Sequence, residues 1–292
     1  MYNDILVPTD GRAGTEAAIV RALDLARAFD ATIHALYVVD TRLESAEIPA
    51  EDHEEIREQI MEQGHAATVE IQDRADEIGV DVVREIREGV PEPAILDYVS
   101  EEGMDVVVMG TRGRTEPQTH HLGSTTQRVL TRAPVPVLTV ALGETGPLPE
   151  SGYGMYDEIV IPTDGSDVAE RAAEQAVTIA ARYGADIRVV YVVDTTTYGF
   201  EDTPRSIVGI LKQGGQNAVE TIAEMARERN LPVTTSILRG VPEDEILQYV
   251  SGSEADLVAM GTRGVSAVDD HFLGSTTARV VRRSSVPVLT MG

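Results

Sequence analysis

The chain is written twice. ILVPTDG, from Ile5 to Gly11, returns as IVIPTDG, from Ile159 to Gly165, and LYVVDT ending at Thr41 returns as VYVVDT ending at Thr195. MGTRG, LGSTT and VPVLT then each occur once in either half. The offset is 154 residues at the early matches and 151 at the later ones, so the halves differ by one short length change in their middle segment. A period of that size is too long for a solenoid unit, and each copy should be a domain with its own core. The 292 residues are about two domains' worth of chain, and a 42% apolar content rules out disordered and collagen-like classes. The stretch GETGPLPESGYG, residues 143–154, has no periodic apolar face and reads as a linker between domains at 1–142 and 155–292.

Within each copy short apolar runs alternate with helical spacing. In the first, Ile5–Val7 reads as a strand, Thr15–Phe29 as a helix and Thr32–Val39 as a buried strand. Glu54–Ile78 is a helix with Gly64 as its weak point, and Val82–Ile86 is a strand. Pro91–Ser100 is a helix opened by proline, followed by strand Asp105–Met109, helix Ser124–Arg132 and strand Val135–Val140. Such alternation implies an α/β class with parallel strands, right-handed crossovers and helices on both faces, a doubly wound sheet in each of two tandem domains. Ligands of these sheets sit outside the carboxyl ends of the strands, where the winding order reverses. The last strands, Val135–Val140 and Val286–Met291, should be apolar sheet edges that seek a partner.

Forty-nine acids against 24 Lys plus Arg leave a net charge of −25, which repels phosphate backbones and anionic lipid, so neither nucleic acid nor membrane is an expected partner. Lys212 is the only lysine. An acid-rich, lysine-poor surface spread along the chain suits a salt-saturated cytoplasm, and the competing reading is a docking surface for a basic partner. The absence of Cys excludes disulfides and thiolate chemistry. The chain opens MYNDILVPTDG without a charged and then apolar leader, and no apolar run reaches membrane-spanning length, so the expectation is a soluble, cytoplasmic protein.

At the end of the fourth strand stands Gly110-Thr-Arg-Gly113, then nine residues, then Gly123-Ser124-Thr125-Thr126 entering a helix. Gly261, Gly264, Gly274, Ser275, Thr276 and Thr277 repeat the intervals. Glycines let the backbone approach a ligand, and the amides at a helix start favour an anion such as phosphate. The alternative is a turn shaped by glycine, with Ser124 capping its helix. Residues 114–119 and 265–270 diverge inside this fixed frame, which favours a role for the frame itself.

The pattern G-x2-G-x9-G-[ST] after a strand, with an Asp at the end of the first strand, resembles the universal stress protein family over nearly the whole chain, as two tandem domains. The resemblance implies five-stranded parallel sheets of order 3-2-1-4-5 and, for the branch with this glycine motif, ATP binding, with Mg2+, at one site per domain. Asp10 and Asp164 would then approach the ribose or adenine, with Pro8, Thr9, Pro162 and Thr163 as wall. Val39 and Val193 would meet adenine through their backbone, and Met109 and Met260 would line the pocket. Gly110, Gly113, Gly123, Ser124, Thr125 and Thr126 would hold phosphate, as would Gly261, Gly264, Gly274, Ser275, Thr276 and Thr277, with Arg112 and Arg263 as further phosphate contacts. The resemblance also implies antiparallel pairing of the last strands between domains, an intramolecular pseudo-dimer, with further homodimerisation open.

Each residue also has a plainer reading: Asp10 and Asp164 as helix caps or Asx-turns, the methionines as core, the arginines and His120 and His271 as surface. The copies differ at one telling place, because Ser166 follows Asp164-Gly while Arg12 follows Asp10-Gly, either crowding the first site or adding a phosphate contact. Asp269 and Asp270 replace Gln118 and Thr119 and could hold Mg2+ or repel the triphosphate. No Walker lysine motif, dinucleotide glycine fingerprint, nucleophile elbow or zinc-binding His pair is present, and no general base is identifiable. The leading expectation is thus a nucleotide-binding stress-response or regulatory protein without a catalytic residue. A slow ATPase or phosphotransferase, and a docking module without nucleotide, are the alternatives.

Overall fold

In a computed structural model describing residues 2–42, 53–111, 122–141, 155–195, 205–264 and 272–292, the chain divides into two compact units, Met1–Gly152 and Tyr153–Gly292. The first runs β1 (Asp4–Thr9), α1 (Ala13–Phe29), β2 (Thr32–Asp40), α2 (His53–Asp76), β3 (Val82–Gly89), α3 (Pro91–Glu102), β4 (Val106–Gly110), α4 (Ser124–Arg132), β5 (Val137–Val140). Its strands are parallel in the order β3-β2-β1-β4-β5. The second runs β6 (Glu158–Thr163), α5 (Asp167–Tyr183), β7 (Asp186–Asp194), α6 (Arg205–Glu228), β8 (Val233–Gly240), α7 (Pro242–Ser253), β9 (Leu257–Gly261), α8 (Ser275–Arg283), β10 (Val288–Met291). Its order is β8-β7-β6-β9-β10, again parallel. The expected doubly wound α/β fold is therefore present twice.

Burial explains the sequence pattern. Ile5, Leu6 and Val7 of β1 and Val106, Val107 and Val108 of β4 are wholly buried, as strands covered on both faces must be. Successive side chains of β2 serve opposite faces: Tyr37 lies under Gly64 of α2, while His34 meets Tyr98 of α3. β3 has a neighbour on one side only, and its exposed Val83 and Arg84 hid its length from a reading based on apolar runs. The strand extends to Gly89 because it stays paired with β2 as far as Asp40.

Two expectations are corrected. β5 and β10 begin two residues later than the apolar runs suggest, because Pro136 and Pro287 can only accept: their carbonyls take Val107 N and Val258 N at 3.0 Å. Gly64 does not weaken α2. A Cβ there would stand 2.7 Å from Tyr37 Cδ1, and one at Gly215 of α6 would stand 2.6 Å from Tyr191 Cδ1, so each glycine lets its helix seat on a tyrosine ring.

At the amino ends of the strands, away from the sites considered next, the copies use different chemistry in one place. His34 bridges Asp4, 3.2 Å from its Nε2, and Tyr98, 2.8 Å from its Nδ1. In the second unit Arg188 stands at that position and pairs with Glu158 at 2.6 Å. No described helix is long and apolar enough to cross a membrane.

Candidate functional site

The direction of each strand's amides creates a cleft. Asp4 O accepts from Asp105 N at 2.9 Å, whereas Asn3 O accepts from Thr32 N at 2.8 Å. Even-numbered residues of β1 therefore face β4 and odd-numbered ones face β2. Pro8 is even. It has no N–H to offer β4, and the β1–β4 ladder ends at Leu6–Val107, while the β1–β2 ladder continues to Thr9–Tyr37. In the second unit Glu158 O accepts from Asp256 N at 2.9 Å, Pro162 faces β9, and the β6–β9 ladder ends at Val160–Val258. Above these points the two central strands are free to part at the switch in strand order. Pro8 and Pro162, the expected wall residues, thus stand just past the last pair of each central ladder.

One side of the cleft is the turn from the first strand into its helix. Thr9 and Thr163 are buried, and their hydroxyls accept from Gly11 N and Gly165 N at 3.1 Å. Gly11 and Gly165 have φ of 70° and 80°, a conformation that favours glycine, and lie against Ala67 and Ala218. Asp164 is exposed and makes the Asx-turn foreseen as its plainer reading: its Oδ1 accepts from Ser166 N at 3.1 Å and Ser166 Oγ at 2.6 Å. Ser166 in turn caps α5 by accepting from Ala169 N at 3.2 Å. Arg12 offers α1 no side-chain cap, and Asp10 Oδ1 instead accepts from Thr15 Oγ1 at 3.1 Å. Thr15 was not among the expected site residues. Its signal is that the same place in the second copy holds Ala169: the copy with Arg12 has its hydroxyl at Thr15, and the other copy has it at Ser166.

The other side is the glycine frame. Gly123 and Gly274 occupy the N-cap positions of α4 and α8 with ordinary φ values of −59° and −57° and no side-chain cap. Ser124 therefore lies one position inside the helix, and its expected alternative role as cap is overturned. The first-turn amides have no intrahelical acceptor, the first main-chain bonds being Gln127 N to Gly123 O at 2.9 Å and Ala278 N to Gly274 O at 2.8 Å. Ser124 and Ser275 are exposed, and Thr125 and Thr276 half-buried. Thr126 and Thr277 are buried, and their hydroxyls donate inward to Gly110 O at 3.0 Å and Gly261 O at 2.8 Å. Those hydroxyls fasten helix to strand, so only the amides of Thr126 and Thr277 remain for the anion role first given to the whole residues.

Space explains the second unit's glycines. A Cβ on Gly264 would stand 2.5 Å from Asp164 Oδ2, one on Gly274 3.1 Å from Thr262 O, and one on Gly261 2.9 Å from Val168 of α5. The glycine loop and the strand-tip acid, 100 residues apart, thus meet across the cleft. Met109, Met260, Val39 and Val193 are buried near the strand ends, and Arg263 is half-buried. Arg112, Gly113, His120, Asp269, Asp270 and His271 lie outside the described residues. Among the described residues no group of three His, Cys, Asp or Glu side chains could hold a metal ion.

A family model described as the universal stress protein family matches residues 1–141 and 155–291. A universal stress protein of Methanocaldococcus jannaschii is 38% identical over 144 residues, covering 48% of this chain and 85% of the relative. One from Synechocystis is 24% identical over 306 residues and covers 98% of this chain and 99% of its own length. The crystal structure of a universal stress protein from Archaeoglobus fulgidus, 23% identical, covers 99% of this chain and 96% of its own with a TM-score of 0.73, a likeness of fold.

Proposed function

The chain belongs to the universal stress protein family in both halves, and from that premise we propose that each unit binds an adenine nucleotide, ATP accompanied by Mg2+, as a stress-response or regulatory ligand. One observation carries the reading: in both units a proline ends the central ladder near a helix that opens on glycine, a residue with no side chain to cap the first-turn amides. An uncapped helix start beside a cleft is an electrostatic match for phosphate. Asp10 and Asp164 serve the ribose or adenine end, and the main chain at Val39 and Val193 meets the base. Where Gly264 touches Asp164, a nucleotide can engage acid and amides together. Bound ATP favours the folded state, by about 2.7 kcal/mol at a hundredfold excess over Kd. The acid-rich, lysine-poor composition suits work in a salt-rich cytoplasm.

Calorimetry with Mg-ATP in concentrated KCl tests this. The expected result is saturable heat in the wild-type chain and a loss of stoichiometry in Gly264→Val, whose side chain would intrude on Asp164. No heat at either site overturns the proposal. Steady phosphate release that disappears in the Gly264 variant would instead favour an enzyme.

A further inference from the structure

α4 and α8 have nine residues each, too few to hold a direction unaided, and each is tied at two places. The first tie is the hydroxyl of Thr126 or Thr277 on the end of the fourth strand of its unit. The second lies on the preceding helix. Glu92, in the first turn of α3, is 6% exposed although charged; its Oε1 accepts from Arg132 Nη1 at 2.7 Å, and its Oε2 stands 3.8 Å from Arg128 Nη1. In the second unit Glu243 of α7, also 6% exposed, pairs with Arg279, and Asp244 accepts from Arg283 Nη1 at 2.6 Å. The sequence around these residues has changed between copies, Pro93-Ala94 to Asp244-Glu245 and Gln127 to Ala278, while the acid and both arginine positions remain, Glu92 being held most closely by Arg132 and Glu243 by Arg279, the counterpart of Arg128.

We infer that Glu92 and Glu243 are positioning residues for the phosphate-facing ends of α4 and α8, an inference that rests on the nucleotide reading above. Arg132 stands about 120° around the helix axis from Thr126, and Arg279 about 160° from Thr277. A grip on both sides leaves the helix no rotation about that axis, so the direction of its first-turn amides is set from α3. A carboxylate is expensive to bury unless it is paired, and its partner arginines are more than half exposed, so the pair can be loosened without opening the core.

The test compares Mg-ATP with adenosine, titrated into the full chain carrying Glu92→Gln and Glu243→Gln. ATP affinity should fall roughly fivefold to tenfold, a partial loss of well-aligned hydrogen bonds to a charged group. Adenosine has no phosphate to meet the helix ends, and its affinity should not change. Arg132→Gln with Arg279→Gln should reproduce the effect, and this second variant decides the matter if the first does not fold. Combining all four changes should be no worse than either pair. Equal weakening of ATP and adenosine would make the role merely structural and overturn the inference, as would unchanged ATP affinity. A wild-type chain that binds neither ligand overturns the nucleotide reading and this inference with it.

Discussion

At the tip of β6, Ser166 uses one hydroxyl twice, donating to Asp164 Oδ1 at 2.6 Å and accepting from Ala169 N at 3.2 Å. Arg12 carries donors only and has no acceptor with which to cap α1, and in the first unit the acid is held through Thr15 instead. Arg12→Ser should therefore restore a cap and stabilise the first unit by about 1 kcal/mol, and Ser166→Ala should cost the second about as much, both read from denaturant melts. A titration argument belongs to Tyr98. Burial pushes its phenol up to about 12, with the carboxylates of Glu102 and Glu85 adding to the effect and Arg87, over its ring at 4.5 Å, opposing it. Because the folded-state value exceeds the unfolded one of about 10, this contribution to stability is complete below about pH 10. It is lost as pH rises towards 12. Alkaline melts of Tyr98→Phe should be flatter over that window than those of the wild type, and parallel curves would refute the assignment.

Elements show where propensity and packing disagree. Gly214 and Gly215 are neighbours in α6, and helix propensity alone predicts that either gains about 1 kcal/mol on change to Ala. A Cβ on Gly214 meets nothing within 4 Å, whereas one on Gly215 falls 2.6 Å from the ring of Tyr191. Gly214→Ala should accordingly stabilise by about 1 kcal/mol, and Gly215→Ala should destabilise by about 1–2 kcal/mol as α6 lifts from the sheet. Urea unfolding of the two variants gives opposite signs if packing decides, and the same sign if it does not. Space also explains the glycine at the N-cap of α8, where the backbone angles are ordinary and a Cβ would stand 3.1 Å from Thr262 O.

For the molecule as a whole the dominant quantity is its net charge of −25. Ion pairs such as Arg57–Glu88 and Arg283–Asp244 use some acids, but the 24 Lys plus Arg cannot match 49 carboxylates. Self-repulsion between closely spaced acids is screened progressively as the Debye length falls from about 10 Å at 0.1 M to about 3 Å at 1 M salt. The melting temperature should rise continuously from low salt into molar KCl. A flat response, or one that saturates at low ionic strength, would count against a chain adapted to concentrated salt and for an acidic docking surface.

What the sequence determined by itself is what repeats locally: two copies, alternating strand and helix periods, and a glycine frame whose spacing survives while its interior drifts. These were legible because spacing along a strand or helix maps directly onto faces. Strand order came from family resemblance and not from periodicity, which is blind to which strands are neighbours. Only tertiary structure decided that Pro8 faces β4 and stops its ladder, that Thr126 turns its hydroxyl inward, that Gly64 makes room for Tyr37, and that Glu92 grips α4. Each depends on a partner distant along the chain or on the side to which a backbone amide points. Neither quantity leaves a period in the sequence.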